Sequence, residues 1–98
     1  MIEVRTTIEF ERWLKRLKDA TAAVAITRRI MRVAQGTFGA SRSVGGGVFE
    51  MKFDLGPGYR LYYVTRGKTV VVLLCGGDKA SQQKDIGKAK ELAKALGP

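Results

Sequence analysis

Histidine is absent from this 98-residue chain, and cysteine occurs only once. Without histidine, the chain cannot form a Ser-His-Asp triad or a metal site built on imidazole nitrogens. A single cysteine cannot form an internal disulfide. Cys75 lies in the most apolar stretch of the sequence. We therefore expect a small buried core residue there, because no histidine is present to activate the thiol.

Long apolar segments are also absent. No run approaches the roughly 20 residues that a helix needs to cross a bilayer, and no stretch resembles a signal peptide. We expect a cytoplasmic protein without a membrane partner. The length predicts one domain over residues 1–98, large enough for a single modest core.

Acidic residues are scarce compared with basic ones. Nine Asp and Glu residues stand against 18 Lys and Arg residues, which gives a net charge of +9. Such an excess points to a polyanionic partner, which is a nucleic acid, a membrane surface or an acidic protein. The alternative is that the charge serves solubility alone.

Two helices are predicted after a short strand at residues 2–5. Thr6 and Glu9 have the spacing of a capping box, so the first helix should begin there. Its apolar face carries Phe10, Trp13, Leu14 and Leu17. The second helix should run over residues 22–35 and end at Gly36, with Arg28, Arg29 and Arg32 facing outward.

Residues 20–47 contain four arginines and no acidic residue. This segment is either an electrostatic patch for RNA or a solvated surface that also binds an acidic partner. Its second half, residues 36–47, is rich in glycine. It lacks the pattern of a phosphate-binding loop, so we predict a mobile linker.

Three consecutive strands are predicted over residues 48–55, 59–65 and 69–75. The first two alternate between apolar and polar side chains, whereas the third is a continuous apolar run typical of a central strand. Gly56-Pro57-Gly58 and Arg66-Gly67-Lys68 should form the turns between them. The pattern predicts an antiparallel meander whose most buried strand comes last.

Lys52 and Arg60 should lie on the same polar face of this meander, close enough to form a cationic pair. The alternative is that each pairs with Glu50 or Asp54 on a solvated face. After the meander, Asp78 or Ser81 can cap a final helix. That helix has a weakly apolar side and four lysines, at positions 84, 88, 90 and 94.

Several segments together resemble the RelE/ParE superfamily of toxins, and within it the HigB-like branch often labelled addiction module killer proteins. They are GVFEMKFDLGPGYRLYYV, VVVLLCGG and GDKASQQKDI followed by AKEL. The resemblance covers nearly the whole chain. It implies an α+β fold, β-α-α-β-β-β with a C-terminal helix, in which an antiparallel sheet packs against the two N-terminal helices.

The resemblance also implies a function. Similar proteins are toxins of type II toxin–antitoxin systems that cleave mRNA on the ribosome without a metal or other cofactor. They are silenced by a cognate antitoxin, which can carry a helix-turn-helix domain. The main alternative is a non-catalytic toxin of the ParE type, which inhibits DNA gyrase. A third is a nucleic-acid-binding domain without toxicity.

For the site, the resemblance implies phosphate contact and proton transfer by Lys52 and Arg60, with Lys79 completing a cationic cluster. Tyr62 would stack on a base. The RNA-binding surface would extend to Ser81, Gln82 and Lys84, for which helix capping and solvent exposure are the alternatives. Two positions depart from well-studied RelE toxins. Glu50 stands where a lysine is common, and Asp85 where a tyrosine aligns.

Overall fold

The computed structural model describes residues 1–97 and contains a five-stranded sheet with helices on both faces. The strand order is β1-β5-β4-β3-β2. The elements are β1 (Glu3–Thr6), α1 (Ile8–Arg16), α2 (Ala20–Ala34), β2 (Ser41–Gly45), β3 (Val48–Lys52), β4 (Arg60–Arg66), β5 (Val70–Gly77) and α3 (Gln82–Leu96).

Helix α1 begins one residue later than the capping-box pattern predicts. Thr7, not Thr6, caps the helix, because its Oγ1 accepts a hydrogen bond from Phe10 N at 3.0 Å. The same hydroxyl donates to the Leu74 carbonyl in β5, which anchors the cap to the sheet. Thr6 points elsewhere and donates to Glu11 at 2.6 Å. The predicted pairing of Thr6 with Glu9 is therefore wrong.

Helix α2 is capped by Asp19, whose carboxylate accepts from Ala22 N at 3.0 Å. It ends before Gly36, which has the positive φ of 93° expected of a C-terminal glycine. Together α1 and α2 cover one face of the sheet. The buried side chains that the two helices and the sheet bring together are Phe10, Ile26, Val33, Met51, Phe53, Leu61, Tyr63, Val71 and Leu73.

The β3–β4 hairpin has the register that the alternation predicts. Lys52 lies directly opposite Arg60, and Glu50 lies opposite Tyr62. Gly56 and Gly58 both adopt positive φ in the connecting turn, at 57° and 77°. The turn is closed by a hydrogen bond from Gly58 N to the Leu55 carbonyl.

Strand β5 is an interior strand with a neighbour on each side, as its apolar sequence predicts, although β4 is the middle strand of the five. It pairs antiparallel with β4 and parallel with β1. The α+β fold class is confirmed, with β1 adding one parallel pair to an otherwise antiparallel sheet.

The glycine-rich segment is not the linker that its composition predicts. Residues 41–45 form the edge strand β2, antiparallel to β3. Arg29 holds the start of this strand in place by donating to the Ala40 carbonyl at 2.8 Å and to the Lys52 carbonyl at 2.6 Å. Contrary to expectation, the Arg29 side chain thus turns back onto the sheet, where it also lies over the Phe53 ring.

Helix α3 covers the second face of the sheet, and a second hydrophobic cluster is buried between this helix and the strands. Its small residues Ala89 and Ala93 are buried, which lets the helix approach β4 and β5 closely. The side chains buried beneath it include Tyr62, Val64 and Leu74. Among residues 1–97, no helix is long and apolar enough to cross a membrane.

Candidate functional site

Lys52, Arg60 and Lys79 line one groove, with a volume of about 570 Å³, at the end of the sheet where the β3–β4 turn meets the start of the α3 segment. We call it the turn groove. Lys79 reaches this position because its backbone N–H donates to the Pro57 carbonyl at 3.3 Å. The three cations predicted from the sequence thus share one surface.

The Lys52 side chain is exposed and has one charged neighbour. Its Nζ lies 3.6 Å from the Asp54 carboxylate, which is itself 90% exposed. An exposed ion pair of this kind is weak and exchanges readily with water. Lys79 is also exposed. Both amino groups are therefore accessible to a ligand in the turn groove.

Arg60 is buried, unlike its neighbour Lys52, with a relative exposure of 6%. Its Nη1 donates to the Gly58 carbonyl at 2.6 Å, and its Nε lies 3.7 Å from Glu50 Oε2. This Nε is the one buried side-chain nitrogen or oxygen atom within residues 1–97 that has no hydrogen-bond partner. A buried donor without a partner is costly, and a catalytic or binding role is one explanation for its presence.

Glu50 is the buried anion at the centre of the site, with a relative exposure of 4%. Its Oε1 accepts from Arg42 Nε at 2.8 Å, and its Oε2 accepts from Tyr62 OH at 3.0 Å and from Gln82 Nε2 at 2.9 Å. Burial by itself would raise the pKa of Glu50. The hydrogen bonds from Arg42, Gln82 and Tyr62 outweigh burial and hold the pKa below its ordinary value.

Arg42 is a site residue that sequence reasoning missed, because it lies in the segment interpreted as a linker. It lies opposite Glu50 across the β2–β3 pair and lines a second groove, of about 400 Å³, which we call the edge groove. Lys52 and Arg60 line both grooves. The cations Arg42, Lys52, Arg60 and Lys79 therefore border one continuous surface.

Tyr62 does not have the position that base stacking requires. Its side chain is fully buried beneath α3, and its hydroxyl donates to Glu50. Burial, followed by the hydrogen bond to the carboxylate, raises the pKa of this phenol. The stacking role predicted for Tyr62 is corrected to a buried hydrogen-bond donor, because α3 covers the face that the sequence pattern left open.

Three residues were predicted to extend the RNA surface. Two of them make hydrogen bonds within the protein, and the third is exposed to solvent. Ser81 lies at the start of α3 and donates to Asp85 Oδ2 at 2.5 Å, while Gln82 is bound to Glu50. Lys84 is exposed. Of the three, Gln82 lines the edge groove and so lies beside the cations.

Cys75 is buried, and burial raises the pKa of its thiol to about 12. The expected structural role of this residue agrees with that environment. Within residues 1–97, no three His, Cys, Asp or Glu side chains lie close enough to share a metal ion.

Comparison with solved structures identifies the fold. E. coli toxin RelE, in the free state of a double-arginine mutant, superposes with a TM-score of 0.72 at 16% sequence identity, covering 92% of this chain and 94% of that chain. A chain of the intact E. coli RelBE toxin–antitoxin complex superposes with a TM-score of 0.67 at 18% identity, covering 80% of this chain and 96% of that chain. At these identities, the likeness establishes the fold alone.

Comparison of sequences identifies the family. An uncharacterized protein of Haemophilus influenzae is 47% identical over 96 residues, which is 98% of this chain and 97% of the relative. The model of the family described as Phage derived protein Gp49-like (DUF891) matches residues 12–96. Membership of the HigB-like branch stays a prediction. The chain belongs to the Phage derived protein Gp49-like family and has the RelE/ParE fold.

Proposed function

We propose that this chain is the toxin of a toxin–antitoxin pair and that it cleaves messenger RNA on the ribosome. Family membership and the RelE/ParE fold support the first part of the proposal. The second part rests on the turn groove, which the exposed Lys52 and Lys79 line together with Arg60. This is the observation that carries the proposal, because three cations converging on one groove suit a phosphate group.

The proposed reaction needs no group outside the RNA, the chain and water. The 2′-oxygen of a ribose attacks the adjacent phosphorus, the bond from phosphorus to the 5′-oxygen breaks, and a 2′,3′-cyclic phosphate forms. A water molecule or a side chain of the turn groove takes the proton of the 2′-hydroxyl, and another gives a proton to the 5′-oxygen, so the step consumes no net proton. Arg60 stabilises the extra negative charge on the phosphoryl oxygens, and Lys52 and Lys79 hold the backbone in line.

The partners follow from the same proposal. The substrate is mRNA in translating ribosomes, so the protein acts in the cytoplasm. A cognate antitoxin binds and silences it, by analogy with the fold relative that was solved as a toxin–antitoxin complex. In the alternative hypothesis, the chain is a non-catalytic toxin that inhibits DNA gyrase. No feature of the turn groove favours gyrase over RNA as the target.

Induced expression in bacteria tests the proposal. Wild type should arrest growth and produce new mRNA 5′ ends within translated regions. Lys52→Ala and Lys79→Ala should reduce both effects. The matched control is Lys68→Ala, which removes the same charge from an exposed turn at the opposite end of the sheet and should behave as wild type.

Two results would contradict the proposal. Arrest without new mRNA ends would favour inhibition of gyrase, which a supercoiling assay would then examine. Neither arrest nor cuts, with soluble protein present, would leave a non-toxic binding domain. Purified protein, incubated with mRNA alone or on ribosomes, separates ribosome-dependent from direct cleavage.

A further inference from the structure

Glu50 connects three strands and a helix through one carboxylate. Arg42 from β2, Tyr62 and Arg60 from β4 and Gln82 from α3 all approach it, and Glu50 itself lies on β3. Two of these four groups are guanidinium ions that also line the edge groove. A buried carboxylate among so many donors has little freedom to move.

These contacts make Glu50 a poor candidate for the base in RNA cleavage. A base must release its hydrogen-bond donors and accept a proton. Glu50 accepts three hydrogen bonds, and its pKa is lowered despite burial. It is also almost completely shielded from solvent. Its surroundings instead suit a fixed anion that orients the two arginines.

The geometry points to Glu50 as a positioning residue that aligns Arg42 and Arg60 for two successive parts of an RNA backbone, with Arg42 in the edge groove and Arg60 at its junction with the turn groove. This inference rests on the proposed function. It extends the RNA contact from the turn groove to β2, and it gives Arg42 a binding role.

The contacts of Arg42 leave part of its guanidinium free for such a role. Its Nε is held by Glu50 at 2.8 Å, but within residues 1–97 its two Nη groups make no hydrogen bond. Its side chain is 60% exposed. An arginine fixed through Nε and open at both Nη groups presents a preorganised pair of donors to a phosphate.

Arg60 is arranged differently. Its Nη1 is bound to the Gly58 carbonyl, and its Nε stands 3.7 Å from the Glu50 carboxylate, beyond hydrogen-bond reach. Glu50 therefore attracts this guanidinium without satisfying it. Within residues 1–97, Arg60 Nη2 makes no hydrogen bond and is not a buried unpartnered atom. A phosphate oxygen at the groove junction would contact this Nη2, while Glu50 keeps the arginine from turning away.

When Glu50 is neutralised, the arrangement predicts tighter binding of RNA and slower turnover. Glu50→Gln removes a negative charge near the RNA path, so KM for ribosome-bound mRNA should fall. It also releases Arg60, so kcat should fall on the order of a hundredfold, which is the usual cost of misplacing a catalytic group by about 1 Å. A merely structural residue would not lower both values.

Asp54→Asn is the matched control, because it removes one negative charge from the same strand end, and the Asp54 carboxylate contacts exposed Lys52 and neither arginine. It should lower KM in the same direction and change kcat by less than about twofold. Equal loss of kcat in both variants would overturn the positioning role, since charge alone would then explain the result.

Arg42→Lys keeps the inference testable if Glu50→Gln does not fold, because the Arg42 side chain is exposed. Lysine retains the charge but cannot hold Glu50 through Nε and bind phosphate at the same time. We expect this variant to remain folded and to bind a fluorescent single-stranded RNA oligonucleotide several-fold more weakly than wild type does. Binding equal to wild type would overturn the role of Arg42.

Nuclear magnetic resonance of the Arg60 Nε–H group separates this inference from the proposed function. Its proton should exchange slowly with water in wild type and Asp54→Asn, and rapidly in Glu50→Gln, whether or not the protein cleaves RNA. If wild type does not cleave mRNA but the exchange pattern holds and the oligonucleotide binds, the ribonuclease proposal fails and the positioning role stands. Unchanged exchange in Glu50→Gln would overturn the positioning role itself.

Discussion

Lys52 and Arg60 are directly paired across β3 and β4, yet Lys52 extends into solvent whereas Arg60 is buried beside Glu50. The difference arises because Lys52 lies at the end of β3, while Arg60 is enclosed between the β3–β4 turn and the residues before α3. The two cations therefore call for different experiments. Lys52 can be replaced without loss of packing, but Arg60 cannot.

Replacement of Lys52 or Lys79 should weaken RNA binding in a salt-dependent way. For single-stranded nucleic acid, each lost phosphate contact reduces the slope of log affinity against log salt by about 0.7. Titration of a labelled RNA oligonucleotide at several salt concentrations would measure this slope. Lys68→Ala should leave it unchanged, and an equal loss in that variant would show that only the overall charge matters.

Arg60→Ala should destabilise the protein as well as inactivate it. The change removes a buried partner of Glu50 and leaves a cavity, so we expect a loss of roughly 3 kcal/mol in the free energy of unfolding. Urea denaturation would measure the loss. A change below about 0.5 kcal/mol would mean that the guanidinium makes no net contribution to the fold.

Acid should remove the stabilising contribution of Glu50. Because folding lowers the pKa of this carboxyl from 4.5, the contribution is fully present above that value and is lost as the pH falls through the folded-state pKa. The difference in unfolding free energy between wild type and Glu50→Gln should therefore be constant from pH 5 to 7 and shrink below pH 4.5. A difference that grows on acidification would contradict the lowered pKa.

Gly76 should be intolerant of a side chain. A Cβ at this position would collide with the Trp13 ring of α1, so Gly76→Ala should cost at least about 2 kcal/mol in thermal or urea unfolding. Gly87 provides the control, because a Cβ there would meet no atom within 4 Å. Gly87→Ala should stabilise α3 by about 0.5–1 kcal/mol.

Cys75 should resist thiol reagents in the folded protein. Its thiol is buried and, with a pKa of about 12, is almost entirely protonated at neutral pH. Reaction with a chromogenic disulfide should be slow in buffer and rapid in denaturant. Rapid reaction of the native protein would reveal opening of α3 from the sheet.

The sequence was sufficient to predict the meander, the pairing of Lys52 with Arg60 and the interior position of β5. These features follow from alternation and turn residues, which act over short distances. It was also sufficient to suggest the superfamily, because the motifs around the GPGYR turn are specific.

Other features depended on contacts that are distant along the chain. The edge strand β2 has a glycine-rich sequence and exists because it pairs with β3 and is held by Arg29. The burial of Tyr62 and Arg60 depends on packing by α3 and on the turn at Gly58. The small buried residues of α3 give a weak apolar pattern. Arg42 was missed for the same reason as β2.

The parallel pair of β1 and β5 has a consequence for synthesis. The first strand of the chain has only one neighbour in the sheet, and that neighbour, β5, ends at Gly77. A nascent chain cannot complete its sheet until nearly four-fifths of the 98 residues have left the ribosome, and such non-local pairing is slow to form. If the chain is the toxin proposed above, an unfinished copy would not yet carry an assembled site, so no activity would precede the end of synthesis.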